Sequence, residues 1–323
     1  MFGFIGSRLL QAIPVLLVVG FIAFALFNFV GDPVNNLLPQ DHTEAQRLEL
    51  IQSLGLDQPF FVQYGRFLLR CLHGDFGFSY RIAQPVGALI ADRLPATLEL
   101  AVTASVLAFV IGVPMGVYTG IHRTSFMSRL FMIVSLVGVS LPTFLLGVLL
   151  ILAFSVGLGW LPSFGRGPVV HVGRWWTTGL TSWAGIRSLV LPAVTLGLFQ
   201  MTLIMRLVRA EMLEVLRTDY IKFARARGLT NRAINFGHAL KNSLVPVITI
   251  MGLQFGGVVA FSLVTETVFQ WPGIGLLLVQ SVSVADVPVM SAYLMLIALL
   301  FVLINLVVDL LYYAVDPRLR IGR

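Results

Sequence analysis

The sequence predicts an all-α polytopic membrane protein: six transmembrane helices with a helical extracytoplasmic cap after the first span. Three observations carry this. Hydrophobic residues make up 57% of the 323 residues and charged residues only 11%, where a soluble domain carries about a quarter charged residues; the mean hydropathy is +0.90. Six runs are long and apolar enough to cross about 30 Å of hydrocarbon as helices. The cationic residues fall mainly on alternate loops.

Taken in order, the first run is 9–30. Arg8 precedes an apolar stretch reaching Val30 that is too long for a signal-peptide core and has no A-x-A-like site after it. Residues 1–30 therefore read as the N-terminus and an uncleaved first span. Residues 31–96 are too long for a turn and read as the cap. Thr43 with Gln46 fits a capping box, and Gly55 suits the end of that helix after Leu54. Asp57 and Pro59 suit the start of a second helix reaching about Leu72, before Gly74. The remaining spans, 97–119, 130–153, 188–208, 244–265 and 290–313, form a transmembrane core over 97–323. Pro14, Pro114, Pro142 and Pro192 lie within or at the ends of spans, where neighbouring helices re-satisfy freed backbone groups. Trp160, Trp175, Trp176 and Trp183 suit an aromatic belt in the outer loop 154–187. A third outer loop is 266–289.

Placing both termini, the 120–129 loop and the 209–243 loop inside puts fourteen Lys and Arg inside against eight outside. Five of the eight (Arg47, Arg66, Arg70, Arg81, Arg93) lie in the long cap, where the positive-inside rule counts for little. The net charge of +7 is nearly all Arg, since Lys occurs only at 222 and 241. It reads as topology-setting and lipid-facing charge rather than a nucleic-acid surface.

Enzyme chemistry finds little support. There is no G-x-x-x-x-G-K-[ST] phosphate loop and no H-E-x-x-H, and the five His residues fall in predicted loops. Cys71 is the only cysteine, so no intrachain disulfide forms. Cys71, His73 and Asp75 lack a fourth ligand nearby, and no metal site is expected. Gly138-Val139-Ser140-Leu141 resembles an intramembrane serine-protease motif, but no span holds a His base. A small-residue helix contact is the better reading. Charge at membrane depth is costly. Asp309 in the last span suits a pairing with Arg318 or an Arg of the basic loop, or a proton relay. Glu266, just beyond the fifth span, suits a central pathway or interface water.

The 218–243 stretch, TDYIKFARARGLTNRAINFGHALKNS, carries the strongest functional signal. Eight Lys and Arg lie between Arg206 and Lys241. A helical run stops at Gly228, a residue type suited to a helix C-terminal cap, and Tyr220, Phe223, Ala224 and Arg227 share one helical face. That face suits either a groove in another protein or a lipid surface.

Four blocks resemble one family. They are LGLDQPFFVQYGRFL…GDFGFSY (54–80), RLPATLELA (93–101), DYIKFARARGL…HALKNSLVPVIT (219–249), and ETVFQWPGIGLLL (266–278) with D-x-x-Y-x-x-x-DPR (309–318). The chain resembles the first permease subunit of binding-protein-dependent ABC importers of the oligopeptide/dipeptide/nickel branch. Of the general E-A-A…G loop signature, Ala224 and Gly228 match, while Lys222 and Phe223 replace the Glu and first Ala.

The resemblance implies a non-catalytic permease that moves di- or oligopeptides across a bacterial inner membrane by alternating access, with both termini cytoplasmic. It implies a homologous second permease, two ATPase subunits that bind ATP and Mg, an extracytoplasmic substrate-binding protein, and no cofactor in this chain. It implies ATPase coupling by Asp219, Tyr220, Phe223, Ala224, Arg225, Ala226, Arg227, Gly228 and Leu229. Glu266, Phe269, Trp271, Pro272 and Gly273 are the pathway candidates: an acidic residue beside aromatics suits a peptide ammonium. Arg47, Arg66 and Arg81 are the candidate contacts for the binding protein. Alternative cargoes are nickel or a nickel chelator, glutathione, or a sugar-like solute. A stand-alone channel or ion-driven carrier is the remaining alternative, and the missing inverted repeat speaks against it.

Overall fold

The computed structural model describes residues 2–29, 43–54, 57–79, 81–173 and 175–315. The expectations for residues 31–42, Gly55, Arg174 and the C-terminal tail with Arg318 lie outside these. Helix α1 runs Phe2–Phe29, α2 Glu44–Leu54, α3 Phe60–Leu72, α4 Val86–Ile121, α5 Phe126–Ser140 and α6 Thr143–Leu150, which continues as a π-helical stretch Ile151–Gly157. A hairpin of β1 (Val170–Val172) and β2 (Trp176–Thr178) follows, paired antiparallel. Then come α7 Trp183–Val215, α8 Asp219–Ala226, a π-helical stretch Ala233–Ala239 leading into α9 Leu240–Val268, α10 Ile274–Ser283 and α11 Val287–Val315. Among the described residues the hairpin is the one sheet, beside an isolated antiparallel bridge between Phe78 and Pro85.

Among the described residues five helices are long and apolar enough to cross a membrane, and α5 with α6 make a sixth crossing if the pair is one span. The expected third span is thus not a continuous helix: the pair is bent by 115°. The reason is local. Pro142 disfavours helical geometry at Leu141, and both residues are extended, at φ/ψ of −90/134 and −58/139. Contacts with α7 nevertheless advance steadily. A Cβ on Gly138 would meet Thr202 Oγ1 at 2.7 Å, and one on Gly147 would meet Thr195 at 3.4 Å. Ile151 then packs with Leu191. Both halves of the bent pair therefore pack along α7.

The core is built on α4 against α7. Gly112, Gly116 and Gly120 recur every fourth residue on α4, and a Cβ there would lie 2.9 Å from Met201 O, 2.6 Å from Val208 Cβ and 2.9 Å from Met212 Cβ. A Cβ on Gly197 of α7 would lie 2.7 Å from Ala104 O. Backbones this close gain packing contacts that lipid cannot replace. The Gly138 contact is of the same kind.

Several helices outrun their apolar runs. Helix α4 starts at Val86, eleven residues before the expected span, because Val86, Leu89 and Ile90 are buried against Leu277, Val289 and Ala292. Residues 86–96 therefore belong to the second span's helix rather than to the cap. Helix α7 continues to Val215, and the fifth helical run begins at Ala233. The non-spanning part of the basic loop contracts to 216–232, and His238 lies on the π-helical stretch, not in a loop.

The cap is helical, and Thr43 and Gln46 do form the reciprocal box, with Thr43 N donating to Gln46 Oε1 at 2.9 Å and Gln46 N to Thr43 Oγ1 at 3.4 Å. It does not stand clear of the spans, however. Tyr64 of α3 donates to Leu17 O at 2.6 Å, and Phe67 packs on Ala23 and Phe24. Helix α3 lies along the C-terminal half of α1, with Phe61 and Leu72 exposed, as in a helix lying in a membrane interface.

Cys71 sits at the edge of that cluster, and burial pushes its thiol up from 9.0 to about 11. Because the thiolate is the reactive form, the shift predicts maleimide labelling at neutral pH about a hundredfold slower than for an unburied thiol, rising with pH until about 11. Labelling at the ordinary rate in the intact protein would contradict this environment.

Candidate functional site

Helix α8 follows α7 after only three residues. Its C-terminus closes as a Schellman motif: Leu229 N donates to Ala224 O at 3.3 Å and Gly228 N to Arg225 O at 2.9 Å, with Gly228 at φ +80°. A Cβ on Gly228 would meet nothing within 4 Å. Glycine is needed there for its backbone angle, not for space.

The two faces of α8 differ from expectation. Ala224 is buried, together with Ile221, in a cluster that includes Val113 and Val117 of α4, Val208 and Met212 of α7, Ile234 and Ala239 of the π-helical stretch, and Val247 of α9. Ala224 therefore belongs to the root of α8, not its outer face. Tyr220 and Phe223 are exposed, and Arg227 stacks over the Phe223 ring at 5.8 Å. Lys222 pairs with Asp219 at 2.8 Å, and Asn242 donates to Tyr220 Oη at 2.7 Å. Arg225, Ala226 and Leu229 are exposed. The outer face thus offers aromatic and guanidinium groups, while the inner face locks α8 to four other elements.

At the opposite end, the expected pathway residues are not on a surface. Glu266 is 0% exposed. It accepts hydrogen bonds from Thr97 Oγ1 at 2.6 Å, Ser262 Oγ at 3.1 Å and Leu276 N at 2.9 Å. Phe269 and Trp271 are buried, and Trp271 Nε1 donates to Ala96 O at 2.9 Å. Gly273 is buried because a Cβ there would run into the Glu266 carboxylate and Thr97, and one on Gly275 would lie 2.6 Å from Leu263 Cα. Pro272 is half-buried in the same turn. The helix does break after Val268, but Glu266 uses the break to receive the first turn of α10, an anionic cap on a helix N-terminus. In this conformation the group is a fastening inside the subunit, with Glu266 buried among residues of its own chain.

A second fastening lies beside it. Glu99 of α4 and Arg166 of the outer loop form a buried ion pair. Arg166 Nη1 donates to Thr177 Oγ1 at 2.9 Å, Gly179 N donates to Glu99 Oε1 at 3.3 Å, and the guanidinium lies 5.9 Å from the Trp271 ring. These bonds offset part of the cost of burying the pair, while Arg166 Nε is left without a partner among the described residues. Sequence reasoning missed Glu99, although a carboxylate inside the apolar run 97–119 is the signal that singled out Asp309. Asp309 itself pairs with Arg8, Nε to Oδ2 at 2.9 Å and Nη2 to Oδ1 at 3.1 Å, tying α11 to α1. Its partner is neither of the two expected.

Of the candidate contacts for a soluble partner, Arg66 and Arg81 are exposed and Arg47 is half-buried. Among the described residues no group of three His, Cys, Asp or Glu converges as a metal site.

At mid-span, a cavity of ≈ 430 Å³ is lined by Thr143 and Phe144 of α6, by Leu196, Phe199, Gln200 and Leu203 of α7, and by residues of α9 that include Gln254. No sequence expectation pointed to it.

Residues 112–321 match the family described as binding-protein-dependent transport system inner membrane component, and residues 1–101 match its N-terminal membrane component. The chain is 38% identical to the dipeptide transport system permease protein DppB of Alkalihalophilus pseudofirmus, over 97% of this chain and 98% of that protein. It is 40% identical to the glutathione transport system permease protein GsiC of Escherichia coli K12, over 99% of each. Among solved structures, a chain of the inward-facing methionine ABC transporter MetNI matches with a TM-score of 0.55 at 22% identity, covering 71% of this chain and 96% of that chain. That likeness is one of fold.

Proposed function

The chain belongs to the family of binding-protein-dependent transport system inner membrane components, and we propose from that premise that its cargo is a di- or oligopeptide. It is the multi-pass permease subunit of an ATP-driven ABC importer, a non-catalytic component that works with separate ATPase subunits and a permease partner. The observation that supports the cargo reading is that the chain matches, almost end to end, one relative named for dipeptides and another named for glutathione. Glutathione is itself a short peptide, so the two names share one chemistry, the amide bond.

In this reading the outer face of α8 docks in a groove of an ATPase subunit. Tyr220, Phe223 and Arg227 are the gripping groups, and Asp219, Arg225, Ala226 and Leu229 flank them. ATP and Mg bind to the ATPase subunits, and this chain needs no cofactor. Movement of α8 reaches the spans through Ile221 and Ala224, which share one packed cluster with α4, α7 and α9. A soluble binding protein delivers cargo to the outer face, with Arg66, Arg81 and Arg47 as contacts. Both termini lie on the cytoplasmic side of a bacterial inner membrane, where the Arg8–Asp309 pair joins the first and last spans.

The test is uptake by the complete transporter in vesicles. Labelled dialanine is expected to accumulate only with ATP and the cognate binding protein, with glutathione competing to a degree set by that binding protein. Accumulation of nickel or a sugar with no uptake of any peptide would overturn the cargo reading. Uptake without ATPase subunits would overturn the importer mechanism.

A further inference from the structure

The mid-span cavity contains an unpaired amide. Gln200 is 2% exposed, and neither its Oε1 nor its Nε2 has a hydrogen-bond partner among the described residues. Gln200, Gln254 and Thr143 all line the cavity, and each sits near the midpoint of its apolar run (188–208, 244–265 and 130–153). A buried amide left unpaired is costly, and more so at membrane depth, where no bulk water is at hand. Such a group is kept where another molecule satisfies it. The broken third span opens onto the same place. Thr143 is the first residue of α6, so the free N–H groups and positive end of that half-helix face the cavity mouth. Discontinuous helices at the midplane commonly build solute sites in transporters. The rest of the wall is apolar, with Phe144, Phe199 and Phe261 exposed along the rim.

We propose that Gln200, Gln254 and Thr143 form a mid-membrane way-station for the backbone of a short peptide. This rests on the peptide-cargo reading above. A carboxamide presents one acceptor and two donor hydrogens, matching the N–H and C=O of a peptide bond regardless of side chain. The first turn of α6 suits the peptide's carboxylate, and the phenylalanine rim accepts varied side chains without selecting among them. The binding protein selects cargo, and this site only has to recognise that the cargo is a peptide.

The test uses the complete transporter in vesicles with Thr143→Cys. Cys71 is replaced by Ser in the same variant, so the introduced thiol is the only cysteine of this chain. A membrane-impermeant methanethiosulfonate reagent is expected to modify the introduced thiol from water. Saturating dialanine with binding protein should slow that modification about fivefold by occupancy. Gln200→Leu is expected to cut dialanine uptake about tenfold at equal amounts of assembled complex, the scale of one lost buried hydrogen bond, with partial rescue by Gln200→Asn. The Cys variant keeps the test informative if Gln200→Leu fails to assemble. Modification by a membrane-permeant reagent alone would mean that the cavity faces lipid or a packed subunit, and would overturn the site. So would an unprotected thiol in a complex that transports dialanine. A parent complex that carries no peptide removes the cargo reading and this site together, whereas transport with an unprotected thiol removes only the site.

Discussion

Glu266→Ala should lower the thermal midpoint of the purified protein by about 10 °C, and transport should fall in proportion to the folded protein lost. The Glu266 carboxylate joins Thr97 on α4, Ser262 on α9 and Leu276 on α10. Ser262 keeps a second acceptor, Val259 O at 2.8 Å, and Thr97 Oγ1 still accepts from Ile274 N at 2.9 Å, so the uncompensated losses fall on the Thr97 O–H donor and the Leu276 N–H. Each buried orphan costs about 1–3 kcal/mol, and a domain of this size loses roughly 2–4 °C per kcal/mol. Glu266→Gln retains the volume but turns an NH₂ group toward the α10 backbone or the Thr97 hydroxyl, so it should be intermediate. A residue whose task was to bind cargo would behave differently. If Glu266→Ala melts like the parent while transport is abolished, the fastening role is wrong and the pathway role returns.

Gly228→Val should reduce both transport and substrate-stimulated ATP hydrolysis by about tenfold in a complex that still assembles. Valine at φ +80° is strained by more than the ~1–2 kcal/mol of an ordinary residue in left-handed geometry, being β-branched. Helix α8 has only eight residues and cannot absorb that strain from its own stability. No clash contributes, because the position faces open space. The substitutions should therefore rank by backbone tolerance, Asn above Ala above Val, rather than by size. A Gly228→Val complex that couples as well as the parent would remove α8 as the coupling element. So would a ranking that follows side-chain volume.

Much of the architecture was legible in the sequence because membranes impose simple demands. Length and hydropathy located the five long apolar helices and the bent α5–α6 pair, and Thr43, Gln46, Pro59 and Gly228 marked helix ends through local backbone chemistry. Pro142 was legible as a proline within a span, but not as a 115° break. That outcome depends on whether neighbouring helices accept the bend, and here α7 and α9 pack around it. The overrun of α4 to Val86 and of α7 to Val215 was hidden for a related reason: beyond the hydrocarbon, helix length is decided by what the helix packs against.

The candidate sites divide in the same way. That α8 is a short basic helix ending at glycine followed from residue types alone, because capping and charge are properties of neighbouring residues. Its rooted face did not follow, since Ile221 and Ala224 are inward only by virtue of Met212, Ile234 and Val247. Glu266 stood out as a carboxylate next to a span, but its role depends on Thr97, 169 residues away. Asp309 announced a cationic partner without naming Arg8, and Glu99 gave the same signal inside its apolar run without naming Arg166. By itself the sequence determined that this chain spans the membrane, where it crosses, and which loop is basic, because these follow from transfer free energy and local backbone preference. Only the tertiary structure decided which polar groups are paired and which, like Gln200, are left open, because hydrogen bonds and ion pairs are short-ranged and depend on positions that helix packing alone sets.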